Sequence, residues 1–131
     1  MAWKLASSLV MLRDQINATW PKRSQLSDGT IGDVNHSSKK SDHNPTPSGL
    51  VCAFDITNDP NNGCDAGKLA EALRLSRDPR IKYVIWNKRM FSSYKTNAVS
   101  AWSWRPYSGE NPHTKHVHVS VVATEPAWKI V

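Results

Sequence analysis

The chain has 131 residues, 39% of them hydrophobic, and a formal net charge of +6, so its length fits a single domain, residues 1–131, with a sizeable core. The basic surplus favours an anionic partner, such as nucleic acid, an acidic membrane or an anionic cell wall, although the same surplus also keeps a protein soluble. The basic residues are scattered without a run of five or more, which argues against a nucleic-acid-binding arm, and no apolar run approaches the ~20 residues of a membrane span.

The first predicted element is an amphipathic helix over about residues 4–18, since apolar residues recur there at spacings of four, three and four: Leu5, Leu9, Leu12 and Ile16. The residues before it lack the apolar core and cleavage site of a signal peptide, so we expect synthesis in the cytoplasm. A polar stretch follows over residues 21–49, and so long a loop in a compact domain is usually functional or disordered. We favour function because the stretch contains candidate site residues: Arg23, Asp28, Asp33, His36 and His43.

The middle of the chain predicts strands around a second helix. Residues 50–56 indicate a short buried strand interrupted by one carboxylate, Asp55. A helix capped by Asp65 follows to about residue 76, with an inner face formed by Leu69, Ala72 and Leu73. Residues 83–86 indicate another core strand, and residues 90–94 its hairpin partner.

The two cysteines do not form a zinc-type pair. Cys52 falls in an apolar run and is expected to be a buried small hydrophobe. A disulfide with Cys64 is the alternative.

The histidine-rich segment over residues 111–121 is the most informative part of the chain. From His116 onward its period is two, which predicts a strand. Alternate side chains of a strand share a face. His116, His118 and Ser120 are therefore expected on one polar face, and the alternating valines in the core: Val117, Val119 and Val121.

Asp55 and His43 are the predicted partners of this strand. A lone Asp within an apolar strand is costly to bury unless it is paired or binds a metal, although it could instead end the strand and cap a turn. His43 by itself could be an ordinary solvated loop side chain. Together with His118, however, they supply two histidines and one carboxylate, which with an open fourth position describe a catalytic zinc site.

Three motifs carry a family resemblance: Ser41-Asp42-His43, Ala53-Phe54-Asp55 and His116-Val117-His118. They resemble the signature of the D-alanyl-D-alanine carboxypeptidase family of zinc peptidases, and the wider chain is similar to peptidase domains of actinobacteriophage endolysins. The resemblance implies an α+β hedgehog/D-Ala-D-Ala peptidase-like fold, with a small antiparallel sheet flanked by helices. It also implies Zn²⁺ ligands at His43, Asp55 and His118.

The resemblance further implies that His116 is the histidine beside the metal water and that His113 is a second catalytic histidine. Two departures from the family pattern bear on these roles. Eleven residues separate His43 from Asp55, more than in well-known members, so His36 or Asp33 is an alternative ligand. Lys115 stands where dipeptidase relatives have a catalytic Glu, which leaves the acid/base role to His116, His113 or Glu110.

The predicted function is zinc-dependent hydrolysis of peptide bonds in the stem or cross-bridge peptides of bacterial peptidoglycan, as in phage endolysins. Arg23 is a candidate for holding a substrate carboxylate, with an ordinary surface arginine as the equal alternative. Trp102, Trp104 and Tyr107 are candidates for lining the peptide groove, although most of the six tryptophans of so small a domain are expected in the core. We expect a monomer, with no nucleic-acid partner and no stable membrane insertion, made in the host cytoplasm and acting on the cell wall. The alternatives are a metal-dependent nuclease and a non-catalytic wall-binding module with structural zinc.

Overall fold

A computed structural model describes residues 4–30, 42–109 and 113–123. These residues form a mixed α/β domain with two helices and seven strands. In chain order the elements are β1 (Lys4–Leu5), α1 (Ser7–Thr19), β2 (Leu50–Val51), β3 (Ala53–Thr57), α2 (Ala66–Ser76), β4 (Ile81–Trp86), β5 (Arg89–Ser92), β6 (Arg105–Pro106) and β7 (His116–Val121). A short 3-10 turn, Pro60–Asn62, precedes α2.

Five of the strands form one antiparallel sheet in the order β3-β7-β4-β5-β6. The histidine strand β7 therefore lies inside the sheet, between β3 and β4, and is hydrogen-bonded along both edges. The predicted hairpin of β4 and β5 is confirmed. The predicted strand over residues 50–56 is instead divided at Cys52, because β2 pairs in parallel with β1 while β3 joins the main sheet.

The two sides of β7 differ in chemistry, as its period of two predicts. Val117 and Val119 are fully buried in the core, next to Phe54 of β3 and Val84 of β4. Both helices pack on this side, since Leu9 of α1 belongs to the same core cluster and α2 contacts β4 and β7. The other side carries the polar residues of β7, and we call it the polar face. The fold thus places the helices and the candidate site on opposite sides of one sheet.

The helices differ from their predicted form in two details. The first begins at Ser7, because Lys4 and Leu5 are taken into strand β1. The second is capped as predicted, with the Asp65 carboxylate accepting a hydrogen bond from the backbone N–H of Lys68 at 3.0 Å. The prediction for Ala72 was wrong: it is exposed, and Ala70 takes the buried position on the inner face.

Cys52 and Cys64 are both buried, and no disulfide joins them. Each belongs to the core cluster, as expected of a small hydrophobe. Within the described residues, neither helix has the length and apolar character needed to cross a bilayer.

Candidate metal centre

Asp55 and His118 meet on the polar face because their strands pair in direct register. Asp55 of β3 lies opposite His118 of β7, and directly paired residues of antiparallel strands point to the same face. The His118 Nδ1 atom is 3.1 Å from Asp55 Oδ1. Asp55 is in the middle of β3, so the alternative in which it ends a strand and caps a turn is wrong.

His43 reaches the same carboxylate from a loop. Its Nε2 atom is 3.2 Å from Asp55 Oδ1, and its Nδ1–H donates to the backbone carbonyl of Thr30 at 2.6 Å. The loop is tied down on both sides: Asp55 and Gly29 exchange two backbone hydrogen bonds, and the carbonyl of Asp42 accepts from the backbone N–H of Cys52. His43 is thus held against β3 by backbone contacts on each side.

The ring of His118 is held by two neighbours on the polar face. Its Nε2 atom is 2.7 Å from the hydroxyl of Ser120, a fully buried residue two positions along the same strand. Tyr83 of β4 stacks on the ring, with centroids 5.5 Å apart and an angle of 14° between the planes. These contacts fix the ring plane and leave Nδ1 facing Asp55.

Three ligand atoms, one each from His43, Asp55 and His118, lie within 4.8 Å of one another, and this is the group of potential metal ligands found among the described residues. Zinc ligands at ~2.0–2.2 Å from the ion stand about 3.4 Å apart at tetrahedral angles. The two histidine–carboxylate separations, 3.2 and 3.1 Å, are close to that value. The donor set of two imidazoles and one carboxylate is also one that zinc prefers.

The hydrogen bonding of His43 indicates that a cation belongs between it and Asp55. A carbonyl only accepts, so a neutral His43 carries its proton on Nδ1 and points the Nε2 lone pair at the carboxylate. Two acceptors 3.2 Å apart repel each other unless a proton or a metal ion lies between them. Histidine ligands of metals characteristically donate their second N–H to a carbonyl or similar acceptor, as His43 does to Thr30. The residues therefore fit a zinc ion.

The electrostatics of the cluster favour a charged carboxylate. Burial by itself would raise the pKa of Asp55, but hydrogen bonds and charge from His118 and His43 outweigh it and hold the pKa far below its ordinary value. Burial would likewise lower the pKa of His43, yet the contact with Asp55 raises it. The site thus offers a fixed negative charge to whichever cation occupies it.

The two predicted catalytic histidines lie beside this cluster. His116 Nε2 is 3.5 Å from the second oxygen of Asp55 and has no hydrogen-bond partner among the residues that the structure describes. Burial, only partly offset by Asp55, lowers the pKa of His116, so its ring is neutral at neutral pH. His113 is buried next to both β7 histidines, with its ring centroid 5.3 Å from that of His116 and 5.4 Å from that of His118.

Arg23 is buried and uses its guanidinium fork within the protein. Its two terminal nitrogens bind Asp28 at 2.8 and 3.0 Å, and Nε donates to Asn17. Asp28 also accepts from the backbone and hydroxyl of Thr57, the residue paired with His116. The pair therefore braces the edge of the polar face, and the predicted substrate contact of Arg23 would require Asp28 to be displaced.

Trp104 lies on the helix side of the sheet and is not brought together with the histidines. Its ring is edge-on to Phe91 in the core, and its N–H donates to Glu71 of α2 at 2.9 Å. Another aromatic residue from the same part of the chain, Tyr107, does lie at the site, with its ring 5.6 Å from that of His113.

Tyr83 is the site residue that the sequence did not single out. Its contact with His118 depends on the register between β4 and β7, and that register cannot be predicted from the residues near Tyr83 in sequence. Ser120, in contrast, was indicated by the alternation of β7. Three other candidates named from the sequence lie outside the described residues: Asp33, His36 and Glu110.

Fold and site together define a mixed α/β domain with a candidate metal-ligand cluster of two histidines and one carboxylate on the polar face of its antiparallel sheet. The sequence matches the protein family described as VldE, C-terminal domain, over residues 2–118, and because this covers most of the chain, the protein belongs to that family. The matched range includes all three candidate ligands and both neighbouring histidines. No curated protein and no solved structure matches the chain. The family description names no activity.

Proposed function

We propose that this protein is a zinc-dependent peptidase of the phage-endolysin type, which hydrolyses peptide bonds in the stem or cross-bridge peptides of bacterial peptidoglycan. We further propose that its sheet and helices are arranged as in the hedgehog/D-Ala-D-Ala peptidase fold. The main support for this proposal is that one ligand atom each from His43, Asp55 and His118 lies within 4.8 Å of the other two, with two more histidines beside them.

The proposed roles follow from the atoms that face the cluster. His43 Nε2, the Asp55 carboxylate and His118 Nδ1 hold the ion, while Thr30 and Ser120 orient the two rings from behind. Zinc in such a site supplies Lewis acidity towards a carbonyl and lowers the pKa of a bound water to ~7.

His116 is the proposed proton shuttle. Its Nε2 atom faces the ligand cluster without a hydrogen-bond partner, so it is available to a proton on the substrate or the nucleophile. His113 packs edge-on against this ring and holds its orientation. Neither role requires a carboxylate base at position 115, where this chain has lysine.

The charge of the protein suits the proposed substrate. The net charge of +6 favours association with an anionic cell wall. A nuclease would share this charge, but the basic residues are scattered along the chain without a run of five or more, whereas a nucleic-acid groove combines a stripe of basic residues with interleaved aromatic rings.

The proposal is tested by metal analysis and by digestion of purified sacculi. Wild-type protein is expected to bind one zinc ion and to release peptides whose new termini, read by mass spectrometry, name the bond that is cut. His43→Ala, Asp55→Ala and His118→Ala are each expected to lose zinc and activity, since each removes one of three ligands. A variant that keeps stoichiometric zinc would remove that residue from the ligand set.

Two results would replace the proposal by one of its rivals. Zinc-dependent degradation of plasmid DNA, with sacculi left intact, would identify a nuclease. Binding to sacculi without new peptide termini, combined with loss of zinc from His116→Ala, would identify a wall-binding module. In that module His116 would be a fourth ligand and would close a structural site.

A further inference from the structure

We propose that Arg105 makes this site specific for peptides that carry a free carboxylate about three to four residues from the bond that is cut. This inference rests on the proposed peptidase function and names a substrate feature that the zinc cluster alone does not select. Arginine is suited to this task because its planar fork binds a carboxylate through two parallel hydrogen bonds.

Strand register places Arg105 on the same face as the metal-ligand cluster. A row of directly paired residues crosses the whole sheet, from Asp55 and His118 to Ile85, Met90 and Arg105. Side chains in such a row share one face of the sheet. Arg105 is therefore the basic end of a row whose other end is the candidate metal site.

The guanidinium of Arg105 lacks an acidic partner among the described residues. Its Nη2–H donates to the hydroxyl of Ser92 at 2.8 Å, and its Nη1 atom is buried without a hydrogen-bond partner. Three other arginines each have a carboxylate at ion-pair distance: Arg23, Arg74 and Arg80. Buried polar groups are normally hydrogen-bonded, so an unmatched nitrogen requires an explanation.

A ligand on the polar face would explain it. Nε2 of His116, which lies on the histidine strand and the same face, is likewise buried without a hydrogen-bond partner among the described residues. Arg105 as a whole is only half-buried, so a ligand can approach the exposed side of its guanidinium, which has to turn for the buried Nη1 to meet an acceptor. One extended peptide lying across the strands would meet His116 near its scissile bond and Arg105 further along, with a polar partner for each.

The span between the two ends sets the position of the carboxylate. Arg105 binds Ser92, which pairs with Tyr83, which in turn pairs with Ser120 on the histidine strand. Two steps between neighbouring strands, at ~4.8 Å each, amount to about 10 Å across the sheet, and His118 lies two residues, or about 7 Å, further along the histidine strand. The resulting span of about 12 Å corresponds to three to four residues of an extended peptide at ~3.3 Å per residue.

The test compares synthetic stem peptides that have a free carboxylate at this position with the same peptides amidated there. Two pairs are used, with the carboxylate on the amino or on the carboxyl side of the scissile bond. For the preferred pair, Arg105→Gln is expected to lower kcat/KM for the acid by roughly 10- to 100-fold, as for a lost charge-assisted hydrogen bond, and to leave the amide within about twofold. Arg105→Lys should recover part of the loss.

Arg89→Gln is the matched control. Arg89 lies on β5, next to β6, but on the opposite face, where its guanidinium is 4.7 Å from the Trp104 ring centroid. This variant changes the net charge by the same amount as Arg105→Gln. It is expected to leave the ratio of acid to amide turnover unchanged.

Binding to zinc-free protein, measured by calorimetry, gives a readout that does not depend on hydrolysis. Tighter binding of the acid than of the amide, lost in Arg105→Gln, supports the inference even if neither peptide is cut, in which case only the peptidase proposal fails. Equal losses for acid and amide in folded Arg105→Gln protein, or equal affinity of wild type for both, would overturn the inference. Cleavage of acid and amide peptides at equal rates would also overturn the inference about Arg105, but it would support the peptidase function.

Discussion

Ser120→Ala provides a sensitive test of the proposed metal centre because it leaves all three ligands in place. Ser120 is fully buried, and its hydroxyl contacts Nε2 of His118 at 2.7 Å. If His118 binds zinc through Nδ1, its proton must be on Nε2, and the serine oxygen is the acceptor that holds it there. The substitution therefore changes how the ligand is oriented without changing which ligand is present.

The expected magnitude follows from the burial of the ring. A hydrogen bond involving a charged group contributes ~1.5–3 kcal/mol, and the side chain of His118 is only 6% exposed, so bulk water is a poor replacement for its partner. Loss of an outer partner of a metal-bound histidine typically weakens the metal affinity 10- to 100-fold, about 1.4–2.8 kcal/mol. We expect Ser120→Ala to lie in this range.

The assay is competition for zinc against a chelator of known affinity, together with thermal unfolding of the zinc-free protein. Ser92→Ala is the matched control, since Ser92 is an equally buried serine on the same face, two strands away, whose hydroxyl accepts a hydrogen bond from Arg105 instead of contacting a histidine. It should leave the zinc affinity unchanged. An unaltered affinity in folded Ser120→Ala protein would refute binding through Nδ1 with Ser120 behind the ring.

Three further outcomes are expected. His116→Ala should keep its zinc and lower turnover of sacculi by roughly 10²–10⁴-fold, whereas loss of zinc would make this residue a ligand. Cys52→Ala and Cys64→Ser should keep both zinc and activity, because both thiols lie in the core; zinc loss from a folded variant would contradict that placement. Asp28→Asn should lower the free energy of unfolding at neutral pH by about 3–5 kcal/mol, because it leaves the Arg23 charge buried without its partner. Burial would raise the pKa of Asp28, but hydrogen bonds from Arg23 and Thr57 lower it below its ordinary value of 3.8, so its contribution is complete above that value and is lost as the pH falls through the folded pKa. Denaturant unfolding between about pH 2 and 7 should therefore show a weaker acid dependence in Asp28→Asn, and an unchanged profile would contradict it.

The sequence predicted those parts of the structure that depend on short-range pattern. Alternation along β7 separated His118 and Ser120 from the core valines, and the burial of those valines confirms it. The capping residue Asp65 and the hairpin of β4 and β5 were also predicted from short stretches of sequence. Each of these features is fixed by residues within one element or across one turn, where periodicity and capping have a direct physical meaning.

Features that depend on which strands become neighbours could not be predicted in this way. Tyr83 stacks on His118 only because β4 pairs with β7, and Arg105 shares their face only because β5 and β6 continue the sheet. Trp104 shows the same limit: an aromatic residue near the histidines in sequence packs on the opposite side of the sheet, against Phe91. Neither composition nor local periodicity contains the strand order that decides these contacts.

The three candidate ligands differ in how many backbone hydrogen bonds and strand pairings fix their positions. Asp55 and His118 lie on adjacent strands, and β7 is paired along both edges, so their relative position is set by the ladder of the sheet. His43 lies in a loop, and its ring is set by one hydrogen bond to Thr30 and by the backbone bridge between Gly29 and β3. Two ligands are therefore preorganised, and the third is the one whose placement a bound ion would stabilise most. Since a metal that binds only the folded arrangement stabilises it by mass action, the zinc proposed here would tie the loop before β2 to the centre of the sheet.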